Sequence, residues 1–177
     1  MKAMAKRAQR TYSRTGDDDR AKSDTKAWGM PPLIKIYEAF GALADQRCTL
    51  LDSGLAFVQS SDGSKTYRVE SSEDGREISA NDNASYWQGY IGYPAIAVLI
   101  HRGILKADPK AIEALKSIPW HALNQRFRHN YEKTLREVEE RLTAQGYDPD
   151  LIRRAAQDTL EQLRALAPRR GRRLRPA

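Results

Sequence analysis

Apolar residues recur along this chain at two spacings, and the change from one to the other marks its elements. Ile36, Phe40 and Leu43 sit four and three apart, which places them on one helix face and predicts a helix over Leu33 to Asp45. Leu55 to Ser60 then reads as a strand. Lys65 to Val69 alternates imperfectly, with Lys65, Arg68 and Glu70 interleaving Tyr67 and Val69. Asp62-Gly63 between these runs supplies the positive φ of a tight hairpin. Asp74-Gly75 marks a second turn and Arg76 to Ser79 a third short strand.

The helical spacing then returns. Asn81-Asp82-Asn83 offers N-caps for a strongly apolar helix that runs to about Gly103 and is interrupted or restarted at Pro94. Asp108-Pro109 starts a short helix, Asp as cap and Pro as first helical residue, and Pro119 ends it. Phe127, Tyr131, Leu135, Val138 and Leu142 form one apolar stripe on a long charged helix. Gly146 stops that helix and Asp148-Pro149 starts another, striped by Ile152, Ala155 or Ala156, Leu160, Leu163 and Leu166. Two such helices with a short link make an antiparallel helical hairpin, which either folds onto the rest of the chain or serves self-association or a partner.

The expected fold is α+β: a small β-hairpin or three-strand sheet packed on an apolar helix, followed by the C-terminal helical hairpin. Residues 27–118 form the α+β domain and 119–167 the hairpin. Residues 1–26 lack periodicity and read as a disordered basic tail, entered into order at Trp28-Gly29-Met30-Pro31-Pro32. Residues 168–177 read as a disordered arginine-rich tail.

Charge sharpens this division. The net charge is +7, but residues 1–26 carry +4 and residues 168–177 carry +5, which leaves −2 for everything between. Basic ends attract polyanions through counterion release without reading sequence. No apolar run approaches the ~20 residues that span a bilayer; the longest, Ala95 to Ile100, suits a core helix. The basic start has no apolar stretch after it and does not read as a secretory signal. The single cysteine, Cys48, cannot form an internal disulfide, which fits a cytoplasmic setting.

The block from Phe57 to Ile100 resembles the SWIM-type zinc finger family in layout. That family has a β-hairpin, a Cys-x-Cys knuckle, a spacer, and Cys-x-His leading into an apolar helix. Here the hairpin is Phe57 to Val69, the knuckle Ser79-Ala80-Asn81-Asp82-Asn83 and the helix Ala95 to Ile100. All four ligand positions depart from the family: Asn81 and Asn83 replace the first two ligands, and Gly92 and Pro94 the last two. Zinc needs thiolate, imidazole or carboxylate donors, so the resemblance implies a metal-free finger with no cofactor. Asn81 and Asn83 would fix the knuckle through side-chain bonds to backbone N–H groups, with Asp82 favourably placed near a helix N-terminus.

Ser85 to Pro94 is the most unusual segment. Tyr86, Tyr90 and Tyr93 share a helical face flanked by Trp87. Either the rings form a core between hairpin and helix, or they stack bases as in single-strand binders. Lys65, Arg68, His101 and Arg102 are the basic residues nearby.

Catalytic patterns do not appear. His101, His121 and His129 are not spaced as paired ligands, and no His-Glu-x-x-His, P-loop or Gly-x-Ser-x-Gly run occurs. Cys48 beside Arg47 reads as a small buried hydrophobe. The expected function is therefore a non-enzymatic nucleic-acid-binding accessory protein, for DNA or RNA, without a membrane role. Lys65, Arg68, Tyr86, Trp87, Tyr90, Arg102, Arg169, Arg170, Arg172, Arg173 and Arg175 would make the contacts. The alternative is a protein-interaction adaptor or homo-oligomer built on the C-terminal helices.

Overall fold

A computed structural model describes residues 26–177, Ser53 excepted. The expected basic tail at the N-terminus falls almost entirely outside the described residues. The architecture is α+β. Helix α1 (Ile34–Ala44) is followed by β1 (Cys48–Leu50), β2 (Leu55–Gln59), β3 (Thr66–Ser71) and β4 (Glu77–Ala80). A single π-type turn, Ala84–Gln88, leads to α2 (Tyr93–His101). Then come α3 (Pro109–Ala114), α4 (Trp120–Arg126), α5 (Tyr131–Ala144), α6 (Pro149–Leu166) and β5 (Arg169–Arg170).

The sheet has five strands in the order β1-β2-β3-β4-β5, where three were expected. The first four are antiparallel neighbours, and β5 joins β4 in parallel, with Ile78 opposite Arg170. Ala56, Val58, Val69, Ile78 and Ala80 turn into the core. Gly63 and Gly75 take the positive φ of the turns (72° and 71°). Beside them Asp62 accepts from the Ser64 N–H and Asp74 from the Arg76 N–H, as Asx turns do.

Helix α2 lies against strands β1 to β4, and α1 packs on α2 and on α3 and α6. A helix covered on so many sides has little solvent face. Ile34 through Ala42 are all buried, including Lys35 and Glu38, where the spacing of Ile36, Phe40 and Leu43 predicts a single apolar face.

The long C-terminal stripe is broken. Phe127 closes α4, and Arg128 and His129 take positive φ before Asn130 caps α5 through Lys133 N–H. Helices α5 and α6 are joined by Arg153, whose guanidinium grips both oxygens of Glu139 at 2.6 Å. Val138, Leu142, Ile152, Ala156 and Leu163 belong to the same core cluster as α1 and α2. Thr159 Oγ1 and Gln162 Nε2 both donate to the Lys106 carbonyl, so the helical pair is fixed to the chain before it. Leu151 and Tyr147 stay exposed at its turn.

The C-terminal end is a correction to the sequence reading. Its arginines are not a loose tail: Arg169–Arg170 pair with β4, and Leu174 is buried. Backbone pairing and one buried leucine outweigh the polar composition that suggests disorder.

Candidate ligand-binding site

The site begins with the chain reversal after β4. Asp82 Oδ1 accepts the N–H groups of Ala84 and Ser85 at 3.1 and 3.2 Å. Ser85 Oγ in turn accepts from Gly92 N–H at 3.1 Å. A Cβ on Gly92 would stand 2.0 Å from Asp82 Oδ1, so only glycine lets the two segments meet. The knuckle is thus held, but the middle residue holds it. Asn81 Oδ1 accepts from Arg68 N–H across the sheet at 2.8 Å, whereas Asn83 is exposed and makes no cap bond. The role expected of Asn83 belongs to Asp82, because burial puts Asp82 (4% exposed) against the free N–H groups. Pro94 occupies the first turn of α2.

Helix α1 brings Lys35 and Glu38 to the same place. Lys35 Nζ donates to Glu38 Oε2 at 2.8 Å, and Asn124 Nδ2 of α4 donates to Glu38 Oε1 at 2.8 Å. The Lys35 ammonium also sits 4.9 Å from the centre of the Tyr131 ring. Burial acts to lower the Lys35 pKa, but the charge and hydrogen bond of Glu38 more than offset it, and the group ends above its ordinary value. Asp82 moves upward: burial dominates over the Ser85 hydroxyl, the Ser85 and Ala84 N–H groups and the Lys35 charge.

Arg47, between α1 and β1, completes the ring of charges. Its side chain is 9% exposed. Nη1 donates to the Gln59 carbonyl at 2.7 Å, and Nε lies 3.4 Å from the Asp45 carboxylate. Tyr67 and Tyr93 meet edge to face, with ring centres 6.1 Å apart. Burial raises both phenols, with the Asp82 charge adding to the effect on Tyr67, while neighbouring Arg47 partly counters it on Tyr93.

These side chains line a cavity of about 380 Å³, within the range of about 300–1,000 Å³ usual for small-molecule sites. Several of its polar atoms have no hydrogen-bond partner: Arg47 Nε and Nη2, Asp82 Oδ2 and Asn124 Oδ1. Buried polar groups are ordinarily satisfied, so this concentration sets the cavity apart. His121 stands at its edge, 3.6 Å from Asp62.

Most residues expected to contact nucleic acid lie elsewhere. Lys65 Nζ donates to the Ala177 carbonyl at 3.1 Å. Arg68 pairs with Glu70 at 2.6 Å, and Arg172 Nε donates to the same carboxylate at 2.7 Å. Arg102 donates to Ser71 Oγ and, at 2.9 Å, to the Ser72 carbonyl, clamping the β3–β4 turn. Arg169 and Arg175 are exposed.

Some of these residues do converge. Arg173 lies over the Tyr86 ring at 4.5 Å, and Tyr86 meets Trp87 edge to face at 4.6 Å. Arg170 lies 4.8 Å over Trp28 and donates to the Gly89 carbonyl at 2.8 Å. Trp87 is 70% exposed, so its ring is not part of a core. The Tyr90 hydroxyl is buried beside Tyr131.

Among the described residues, no group of three or more His, Cys, Asp and Glu side chains is placed to hold a metal, and no helix is long and apolar enough to cross a membrane. Cys48 is buried, which pushes its thiol up to about 11; a thiol so shifted is a poor nucleophile at neutral pH.

A family model described as "Uncharacterised conserved protein UCP014422" matches residues 28–169. The chain belongs to this family. No curated protein and no solved structure gives a significant match. The matched span contains every cavity residue named above and ends before Arg170, Arg172, Arg173 and Arg175.

Sequence reasoning missed Lys35, Glu38, Arg47 and Asn124. One signal was available: in Leu33-Ile34-Lys35-Ile36-Tyr37-Glu38-Ala39-Phe40 the two charges are surrounded by apolar residues on all sides of the helix. A helix that is apolar all round is a buried one, and buried charges must be paired or serve a ligand.

Proposed function

We propose that this protein binds a small polar molecule in the cavity beside α1. The observation that carries this reading is the pair Arg47 and Asp82. Both side chains line one cavity and are largely withdrawn from water, and each has polar atoms without a hydrogen-bond partner. Leaving a buried polar atom without a hydrogen-bond partner destabilises a protein by about 1–3 kcal/mol. A ligand with complementary groups offsets that cost and stabilises the folded state by mass action. The function proposed is binding without chemistry.

The test is a thermal-shift screen of polar metabolites on the full chain and on Arg47→Met. At least one compound is expected to raise the wild-type Tm and to leave that of the variant unmoved. If no compound shifts the wild type, or if the variant responds equally, the reading is wrong.

Nucleic-acid binding is the second reading, and a specific observation favours it. Arg173, Tyr86 and the exposed Trp87 form a contiguous cationic and aromatic surface, the combination on which single strands stack. Titration with oligo(dT) across a salt series checks it. Affinity should fall steeply with salt and drop in Trp87→Ala; an unchanged affinity in that variant removes the surface from consideration.

A further inference from the structure

The unpartnered edges of the cavity define what it can hold. Glu38 uses both oxygens, one on Lys35 and one on Asn124, so this charge pair is internally closed. That contact also sets the Asn124 amide: its nitrogen faces Glu38, and its oxygen is the unpartnered atom. Asp82 spends Oδ1 on two backbone N–H groups and leaves Oδ2 unpartnered. Arg47 is held by Nη1 on the Gln59 carbonyl and leaves Nη2 unpartnered. What remains is one guanidinium edge, two acceptor oxygens and the Trp120 indole N–H, with the Tyr67–Tyr93 pair among the lining rings.

Each of these calls for a different part of a ligand. A guanidinium recognises carboxylate or phosphate through directed N–H bonds. Acceptor oxygens without donors call for N–H groups, and Asp and Asn oxygens are the side-chain partners of the exocyclic amines of cytosine and adenine. Tyrosine rings pack against unstacked bases. We propose that the cavity takes a nucleoside monophosphate whose base carries an exocyclic amine. Arg47 receives the phosphate, and Asp82 and Asn124 accept from N–H groups of the base. The proposal rests on the small-ligand reading given above and names its ligand class.

Matched pairs of probes test it by calorimetry on the full chain. CMP and UMP differ in the group at C4, amine against carbonyl; AMP and IMP differ in the same way at C6. CMP and AMP are expected to bind about tenfold or more tightly than UMP and IMP, because a carbonyl facing two acceptors leaves all of them unpaired. Arg47→Lys should bring CMP affinity down toward that of cytidine, while cytidine itself still binds and so reports an intact cavity. Asp82→Asn should erase the CMP preference over UMP. A short single-stranded oligo(dC), run beside CMP, separates the two sources of the ligand: tighter binding of the oligomer assigns the site to one residue of a strand, and equal or weaker binding to the free nucleotide. Equal affinity for CMP and UMP, or no binding of any of the four nucleotides, overturns the proposal. In that event native mass spectrometry of the purified full chain decides the underlying reading. A different small compound retained by wild type and lost by Arg47→Lys leaves the cavity as a binding site, and an empty cavity in both removes it too.

Discussion

Two groups of arginines behave in opposite ways in this protein. Those of the C-terminal end dominate the charge of the sequence, yet Arg170 and Arg172 are spent on the fold, on the Gly89 carbonyl and on Glu70, and Arg173 rests on Tyr86. Arg47 stands in a near-neutral stretch, has an almost fully buried side chain, and leaves two nitrogens, Nε and Nη2, without a hydrogen-bond partner, where Arg170 leaves only Nε. Charge density along a chain therefore says little about which charge is available to a ligand. An exposed arginine can satisfy itself with water or a neighbour at little cost. A buried one with an open edge persists at the expense of stability, and such cost is characteristic of functional sites.

The sharpest way to break this contrast is at the joint that supports the cavity. Gly92→Ala places a Cβ against buried Asp82 and should cost about 3 kcal/mol, read by urea unfolding. Asp82→Ala comes next: it strips the Ala84 and Ser85 N–H groups of their acceptor and should cost about 2 kcal/mol. Asp82→Asn keeps that acceptor and should lose little stability.

The same pair of variants tests the electrostatics. Asp82 has a folded pKa above its unfolded value, because of burial against the opposing bonds and the Lys35 charge. Its protonated form therefore favours the fold. The contribution is fully present below about pH 4, the unfolded value, and is lost as pH rises through the folded pKa. Lys35, Tyr67 and Tyr90 are the titratable groups that act on it or feel it. The wild-type minus Asp82→Asn difference in unfolding free energy should fall as pH rises above about 4; a flat difference refutes the shift.

The arginine end sharpens the other side of the comparison with smaller effects. Arg170→Ala removes a cation–π contact and one hydrogen bond and should cost about 1 kcal/mol. Arg172→Ala breaks an exposed ion pair with Glu70 and should cost about 0.5 kcal/mol or less, vanishing in high salt. A free tail would show no loss in either variant.

Much of the fold was legible because it rests on local chemistry. The helix over Leu33 to Asp45, the two Asp-Gly turns, and the Asp-Pro starts of α3 and α6 all stand where spacing and cap residues place them. Strands β1 and β5 were not legible. They are three and two residues long, and their order comes from the partner strand rather than from their own pattern. The break at Arg128 and His129 also escaped, since positive φ is uncommon for any residue but glycine and two in succession without a glycine leave no mark in the pattern. Of the buried charges of the cavity, only Asp82 was given a role in the sequence, as a charge near a helix start rather than as a buried carboxyl.

The sequence by itself determined the class of fold, the position of most elements and the concentration of positive charge at the ends, because periodicity, caps and composition act within a few residues. Tertiary structure alone decided which charges lose water. Lys35, Glu38, Arg47 and Asp82 come from three separate segments, and apart from the apolar surroundings of the first two they look like ordinary polar positions until α1 is enclosed by its neighbours and the chain reverses at Gly92. Desolvation is a property of the assembled surroundings, and it turns these four residues from solvated side chains into the lining of a site.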